Sequence, residues 1–262
     1  MAILNLTPDS FFDGGRHDGP DAAVARAWAA VDEGADVLDV GGESTRPGAA
    51  PVSEAEELRR VLPVIRRLRD ADYPLPISVD TVRSRVAQEA LKAGAVIVND
   101  VSGGRHDPAL LGVAAEAGAA VVLMHMRGTP RTMQRDVQYD DLLRSVIDHL
   151  DACCVAADEA GVPAAHQAVD PGIGFGKSAQ GSISLIARLG ELACLERPIL
   201  LGASRKSFLG AAFDHQGDDR LVGSLVAAAV GVQQGASLLR VHDVRATRLA
   251  VDVAHGIAEA AL

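Results

Sequence analysis

The sequence is short of aromatic residues, cysteine, basic excess and long apolar runs, and each shortage excludes something. Phe, Trp and Tyr make up 3% of the chain while the hydrophobic fraction is 48%, so the core must be mostly Ala, Val, Leu and Ile. Such residues suit helices packed on parallel strands buried on both faces. A net charge of −10 argues against a general binder of nucleic acid or anionic membranes. Of the three cysteines, Cys153 and Cys154 are adjacent and no C-x-x-C pair exists, so reduced structural thiols are expected. No apolar run approaches the roughly 18 residues of a membrane span. The opening MAILNL lacks the basic start of a signal peptide. A soluble, cytoplasmic protein is expected.

What is present is a repeat. A helical stretch ends in Gly followed by Ala or Ala-like residues, then a short apolar run ends in a polar residue. Glu33–Asp39, Ala93–Asn99, Ala117–His125 and Gln234–Arg240 all read this way. The Gly fits a helix C′ position with positive φ. The apolar run fits a strand covered on both faces. Strands are expected near 2–5, 36–40, 76–80, 95–99, 120–125, 166–170, 198–202 and 237–242. Helices are expected near 20–33, 53–70, 82–93, 108–117, 138–160, 182–193, 220–234 and 245–260. Pro20 and the Ser53–Glu56 capping-box pattern mark two helix starts, and Pro108 fits a first turn. Eight βα units without a linker, in 262 residues, predict one α/β domain spanning 1–262, a (β/α)8 TIM barrel.

In such barrels chemistry sits at the C-terminal ends of the strands. Those ends read Asn5, Asp39, Asp80, Asn99, His125, Asp170, Ser204, and Arg240 with His242, all able to hydrogen-bond. Asp80, Asn99 and Asp170 suit a heterocycle with N–H donors, because a carboxylate takes paired hydrogen bonds from a guanidinium-like edge. The alternative for Asp80 is a cap on the next helix. Arg46, Arg205, Lys206, Arg240 and His242 make the opposite side basic and point to an anion such as diphosphate. The competing reading pairs them with Asp39 or Asp243. Three Gly-rich loops, Thr7–Gly15, Gly41–Gly48 and Asp170–Lys177, supply walls. Gly176-Lys177-Ser178 ends like a phosphate-binding P-loop, but Pro171 stands where its first glycine belongs. His17, His106, His149, His166, His215 and His255 are scattered, so no zinc site is expected.

ILNLTPDSFFDGG, GGESTRPGA, SVDT, NDVSGG, MHMRGTPRTMQ, DPGIGFGK, SRKSFLG and RVHDV, in this order from Ile3 to Val244, resemble the signatures of the dihydropteroate synthase family. The resemblance implies joining of 6-hydroxymethyl-7,8-dihydropterin diphosphate to 4-aminobenzoate, giving 7,8-dihydropteroate and diphosphate in folate biosynthesis. It also implies a sulfonamide target. By position, Asp80, Asn99, Val101, Met124, Asp170 and Lys206 would hold the pterin. Asn5, Arg240 and His242 would hold diphosphate. Phe11, Thr45, Arg46, Pro47, Phe175 and Ser207 would shape the aminobenzoate pocket. Mg²⁺ is the implied cofactor, on Asn5 and Asp13, and Lys206, Asp13 and Arg46 are the implied catalytic groups. The implied assembly is a homodimer.

Two departures stand out. The family usually carries a short segment ahead of the first barrel strand, whereas this chain begins almost on it, so an N-terminal hairpin under the barrel is not expected. Gly181-Ser182 replace a common His-Asn, with Ser182 available as a helix cap. Competing readings are a methyltetrahydrofolate methyltransferase-like barrel, a non-catalytic pterin-binding paralogue, and a Schiff-base aldolase using Lys206.

Overall fold

The computed structural model describes residues 1–7, 19–46, 48–214 and 219–260. Among them eight strands run parallel in sequence order: β1 (Ala2–Asn5), β2 (Leu38–Gly41), β3 (Ile77–Asp80), β4 (Ile97–Asp100), β5 (Ala120–Met124), β6 (Gln167–Asp170), β7 (Ile199–Leu201) and β8 (Ala236–Leu239). The sheet closes on itself past β8. Ile3 N donates to the Val241 carbonyl at 3.0 Å, and Val241 N to the Met1 carbonyl at 3.0 Å. The Met1 ammonium also donates to the Leu239 carbonyl at 2.9 Å. The expected (β/α)8 barrel is therefore present.

The outer ring is α1 (Pro20–Asp32), α2 (Glu54–Asp70), α3 (Ser84–Lys92), α4 (Ala109–Glu116), α5 (Leu142–Glu159), α6 (Ala179–Ala187), α7 (Ser207–Phe213), α8 (Asp219–Gln233) and α9 (Val244–Glu259). The repeated Gly-Ala signal has a structural cause. At the end of α3, Gly94 has φ 113° and lets Ala95 N reach back to the Ala90 carbonyl at 3.0 Å. That six-residue closure satisfies an otherwise orphaned helix carbonyl and turns the chain into β4. The same bonds recur from Ala35 to Ala30 and from Ala119 to Ala114, each 2.9 Å.

Ser53 caps α2, its hydroxyl accepting from Glu56 N at 3.2 Å, and Pro20 opens α1. Ser182 does not cap α6. Ser178 does, accepting from Gly181 N at 3.0 Å, and Ser182 lies inside the helix with its hydroxyl on the Ser178 carbonyl. The expected helix near 182–193 is divided between α6 and a 3-10 turn at Leu189–Leu195. The short α7, which begins within the SRKSFLG segment, was not foreseen, because seven residues are too few to show a period.

The core lies between helices and strands. Leu4, Leu38, Ile65, Leu68, Ile77, Leu110, Leu123 and Leu150 are fully buried there, each side chain contributing about 1.5–3 kcal/mol of burial. Cys153 and Cys154 are buried on α5, where burial raises their thiol pKa values to about 12 and about 11. No helix among the described residues is long and apolar enough to cross a membrane. In the barrel, register sets Asn5, Gly41, Asp80 and Asn99 abreast across β1 to β4. Alternation therefore sends these positions to one face, the interior.

Candidate active site

At the mouth of the barrel, one guanidinium is gripped by two carboxylates. Arg240, just past β8, donates from Nε to Asp39 Oδ2 at 2.6 Å and from Nη2 to Asp80 Oδ2 at 2.7 Å. Asn99 Nδ2 donates to the same Asp39 oxygen at 3.1 Å. Asp39 is not a strand-end residue, as the sequence suggested. It is the second residue of β2, is 0% exposed and faces inward. Burial opposes the charge on Arg240, but Asp39 and Asp80 together raise its pKa above the ordinary arginine value. Burial lifts Asp80 to about 7 against the pull of Arg240. Asp80 does not cap α3, whose Ser84 N is bound instead by Asp107 at 2.8 Å.

Asp170, at the end of β6, completes the buried acidic floor. Its Oδ1 accepts from Gly172 N at 2.7 Å. Burial raises its pKa, with Lys206 opposing. Three groups converge around Gly202. A side chain there would stand 3.7 Å from Lys206 Nζ, 3.8 Å from Asp170 Oδ2 and 3.9 Å from Arg240 Cβ. Lys206 Nζ donates to the Ile173 carbonyl at 2.6 Å and lies 4.6 Å from the Phe175 ring centroid. Burial lowers its pKa to about 8. Val101 and Met124 are buried beside this floor.

The basic set does meet in one place. Arg46, Arg205, Lys206, Arg240 and His242 all line a cleft of about 800 Å³. Asn5, Thr45, Phe175 and Ser207 face the same cleft. Two expectations change. Arg205 is paired with Asp243 through two hydrogen bonds of 2.7 and 2.6 Å, and Arg240 is paired with Asp39 and Asp80, as the competing reading held. His242 is not a cation at neutral pH. Burial and Arg240 push its pKa down to about 4, and its Nδ1 lies 3.1 Å from Ser204 Oγ. Phe11, Asp13 and Pro47 lie outside the described residues, as do His17, His215 and most of the Thr7–Gly15 loop.

Several residues that hold the site were not read as such. Arg83 donates to Glu43 at 2.6 Å, to buried Glu57, and to the Val52 carbonyl at 2.8 Å. It thereby ties down both ends of the loop that carries Thr45 and Arg46. Lys177 is 3% exposed and binds His125 Nδ1 at 2.8 Å and the Phe175 carbonyl at 2.9 Å. It is a strut for the Phe175 loop, not a phosphate ligand. Burial lowers Lys177 to about 7 and, with Lys177 beside it, His125 to about 2. His125 turns away from the cleft toward His149, ring centroids 4.6 Å apart. Asp100 ends β4 and fastens its turn, accepting from Ser102 N at 2.7 Å and Gly104 N at 2.6 Å. Asx-turn chemistry in NDVSGG was the signal for it.

An acidic buried floor next to a cationic cleft, on the C-terminal rim of a (β/α)8 barrel, defines a class of barrel that takes a polar heterocycle bearing an anionic arm. The family profile described as "Pterin binding enzyme" matches residues 1–242. The dihydropteroate synthase of Bacillus subtilis is 44% identical over 245 residues, 94% of this chain and 83% of that protein. The dihydropteroate synthase of Xanthomonas albilineans, solved with 4-aminobenzoic acid, superposes with a TM-score of 0.92 at 44% identity, covering 98% of this chain and 92% of that one. A probable bifunctional folylpolyglutamate synthase/dihydropteroate synthase of Haloferax volcanii is 46% identical over 254 residues, 97% of this chain but 30% of that longer protein. The chain belongs to the dihydropteroate synthase family.

The tightest backbone approach at the site yields a prediction. Gly172 has φ +67°, and a Cβ there would stand 2.0 Å from the His125 carbonyl oxygen, a backbone atom with no room to yield. Gly172→Ala should cost about 2 kcal/mol or more through strain and displacement. Thermal unfolding measures it, and a melting temperature equal to that of the unsubstituted protein would contradict the geometry.

Proposed function

We propose that the protein condenses 6-hydroxymethyl-7,8-dihydropterin diphosphate with 4-aminobenzoate, releasing 7,8-dihydropteroate, diphosphate and a proton. The observation that carries this reading is the junction at Arg240, where the acidic floor and the cationic cleft share one residue. A pterin presents N–H donors on its amino-pyrimidinone edge and, through its methylene, a diphosphate at the other end. The floor and the cleft offer acceptors and cations in that order.

In this reading Asp80, Asn99 and Asp170 hold the pterin edge, with Val101 and Met124 against its ring. Lys206 reaches the pterin from the side of Asp170. Arg240 and His242 take the diphosphate, His242 as a neutral hydrogen-bond donor. Thr45, Arg46, Phe175 and Ser207 surround the aminobenzoate, Arg46 facing its carboxylate. The reduced pterin donates electrons to the methylene carbon, so its C–O bond breaks first and releases diphosphate, and the amine nitrogen then bonds to that carbon. The cationic side chains stabilise the departing oxygen, and the amine proton passes to solvent. A sulfonamide places its aryl amine and sulfonyl where those of the substrate stand, and so would compete for the same pocket.

The residues fit a magnesium ion, though not as a cage. Among the described residues no cluster of three His, Cys, Asp or Glu side chains forms. Mg²⁺ usually takes one or two protein oxygens and completes its shell with phosphate and water. Asn5, with a hard carbonyl oxygen in the diphosphate cleft, would supply one, with Asp13 as the second. Bound there, the ion would neutralise charge on the leaving diphosphate.

The assembly we propose is a homodimer. Val222 and Val226 on α8, with Leu249, Val253 and Ile257 on α9, are all exposed. The spacing of four puts each set on one helix face, and α8 and α9 pack side by side. A second copy would cover this face, and the cytoplasm is the compartment in which we place the enzyme.

Three outcomes test these readings. Purified protein should form dihydropteroate from both substrates with Mg²⁺, and no product with all three present would end the proposal. Asp170→Ala should weaken pterin binding by about 1.5–3 kcal/mol, the worth of charge-assisted hydrogen bonds, with the fold intact. Calorimetry showing unchanged affinity would remove Asp170 from the pocket. Sedimentation should show a dimer that Leu249→Glu with Val253→Glu converts to monomer, and a monomeric unsubstituted protein would refute the assembly.

A further inference from the structure

Asp39 carries no part in the substrate contacts above, yet two of their residues hang on it. One oxygen, Oδ2, accepts from Asn99 Nδ2 at 3.1 Å and from Arg240 Nε at 2.6 Å. The residue is 0% exposed, so neither bond is exchanged for water without cost. Asp39 Oδ1 has no hydrogen-bond partner among the described residues.

A carboxylate accepts and does not donate. Only the N–H side of the Asn99 amide can face it, which settles the orientation of that amide and leaves its carbonyl for a ligand. An amide free to turn over would present a donor to the donor edge of a pterin as often as an acceptor. Asp39 also shares the Arg240 guanidinium with Asp80. Without that share, Arg240 would rest on Asp80 alone and compete with a guanidinium-like ligand edge for the same carboxylate.

We propose that Asp39 is a positioning residue for pterin recognition. It acts through Asn99, by fixing the direction of its amide, and through Arg240, by keeping Asp80 open to ligand. The proposal rests on the reading of Asp80 and Asn99 as pterin ligands.

The probe is 6-hydroxymethylpterin, which lacks diphosphate and so reports on the pterin floor. The unsubstituted protein must bind it, and failure there would sink the functional reading itself, not this inference. Given binding, Asp39→Asn keeps the shape of the side chain and removes its charge. It should raise the dissociation constant about tenfold, which is about 1.4 kcal/mol, with KM for 4-aminobenzoate unchanged. In an Asn99→Ala background the same substitution should cost clearly less, since one of its two targets is gone. A loss under threefold in the Asn99 background of the native chain, or an equal loss in both backgrounds, overturns the proposal. So does a parallel rise in the 4-aminobenzoate KM, which would mark a general loss of structure.

One readout does not depend on any substitution of Asp39. The sequence has two asparagines, Asn5 and Asn99. Asparagine-selective ¹⁵N labelling therefore gives two side-chain amides, and Asn99→Ala assigns them by deletion. With no ligand bound, one Asn99 N–H proton should exchange slowly with solvent, held by the buried carboxylate. Rapid exchange of both protons overturns the proposal as well.

Discussion

The contact on which the rest of the structure depends is the grip of Asp39 and Asp80 on Arg240. These residues belong to β2, β3 and the segment beyond β8. They meet because the sheet closes. A buried charge left alone costs several kcal/mol, so the barrel mouth tolerates its carboxylates only with the guanidinium among them. Closure between Val241 and Met1 places Arg240 there one residue earlier. The bond network at the mouth and the hydrogen bonds that complete the barrel are thus parts of one arrangement.

Around that centre the loops are tied from outside the cleft. Arg83 fixes the loop after β2 through Glu43 and the Val52 carbonyl. Lys177 fixes the loop after β6 from beneath, while Gln134 Nε2 reaches the Gly174 carbonyl at 2.7 Å and the Tyr139 hydroxyl reaches the Gly176 carbonyl at 2.8 Å. These bonds are made through other residues and backbone carbonyls, while the side chains of Thr45, Arg46 and Phe175 line the cleft. Rigid backing with available faces is the form in which loops carry specificity.

Much of this was legible in the residues. The Gly-Ala repeat marked the helix ends because only a positive-φ residue followed by a backbone N–H completes that closure, and Gly94 with Ala95 does so. Polar residues after apolar runs marked the rim, and Arg46, Lys206, Arg240 and His242 do share a cleft. What spacing does not carry is the identity of a partner across the barrel. Asp39 and Arg240 are 201 residues apart, and Lys177 and His125 are 52 apart. Their pairing follows from strand register and closure, which pattern alone leaves undetermined. The sequence places the cap at Ser182, but Ser178, chemically equal and four residues earlier, serves because the loop before α6 ends there. His242 reads as basic from its neighbours, but its charge is settled by burial.

Four ionisable groups of the site are displaced in the direction of neutrality. Burial lifts Asp80 and Asp170 and lowers Lys206 and His242. Arg240 is displaced the other way, its charge reinforced by Asp39 and Asp80. Such groups gain most from a ligand that restores their hydrogen bonds without bringing water. N–H donors would draw the two carboxylates back toward their ionised forms, and an anion would draw His242 and Lys206 toward theirs. A molecule with donors at one end and negative charge at the other satisfies both demands at once, while either half alone satisfies one. Selectivity for the joined substrate then comes from the electrostatics of the rim as well as from its shape. Asp39 sits at the junction because, among the described residues, it is the carboxylate whose own contacts connect Asn99 of the floor to the cation of the cleft.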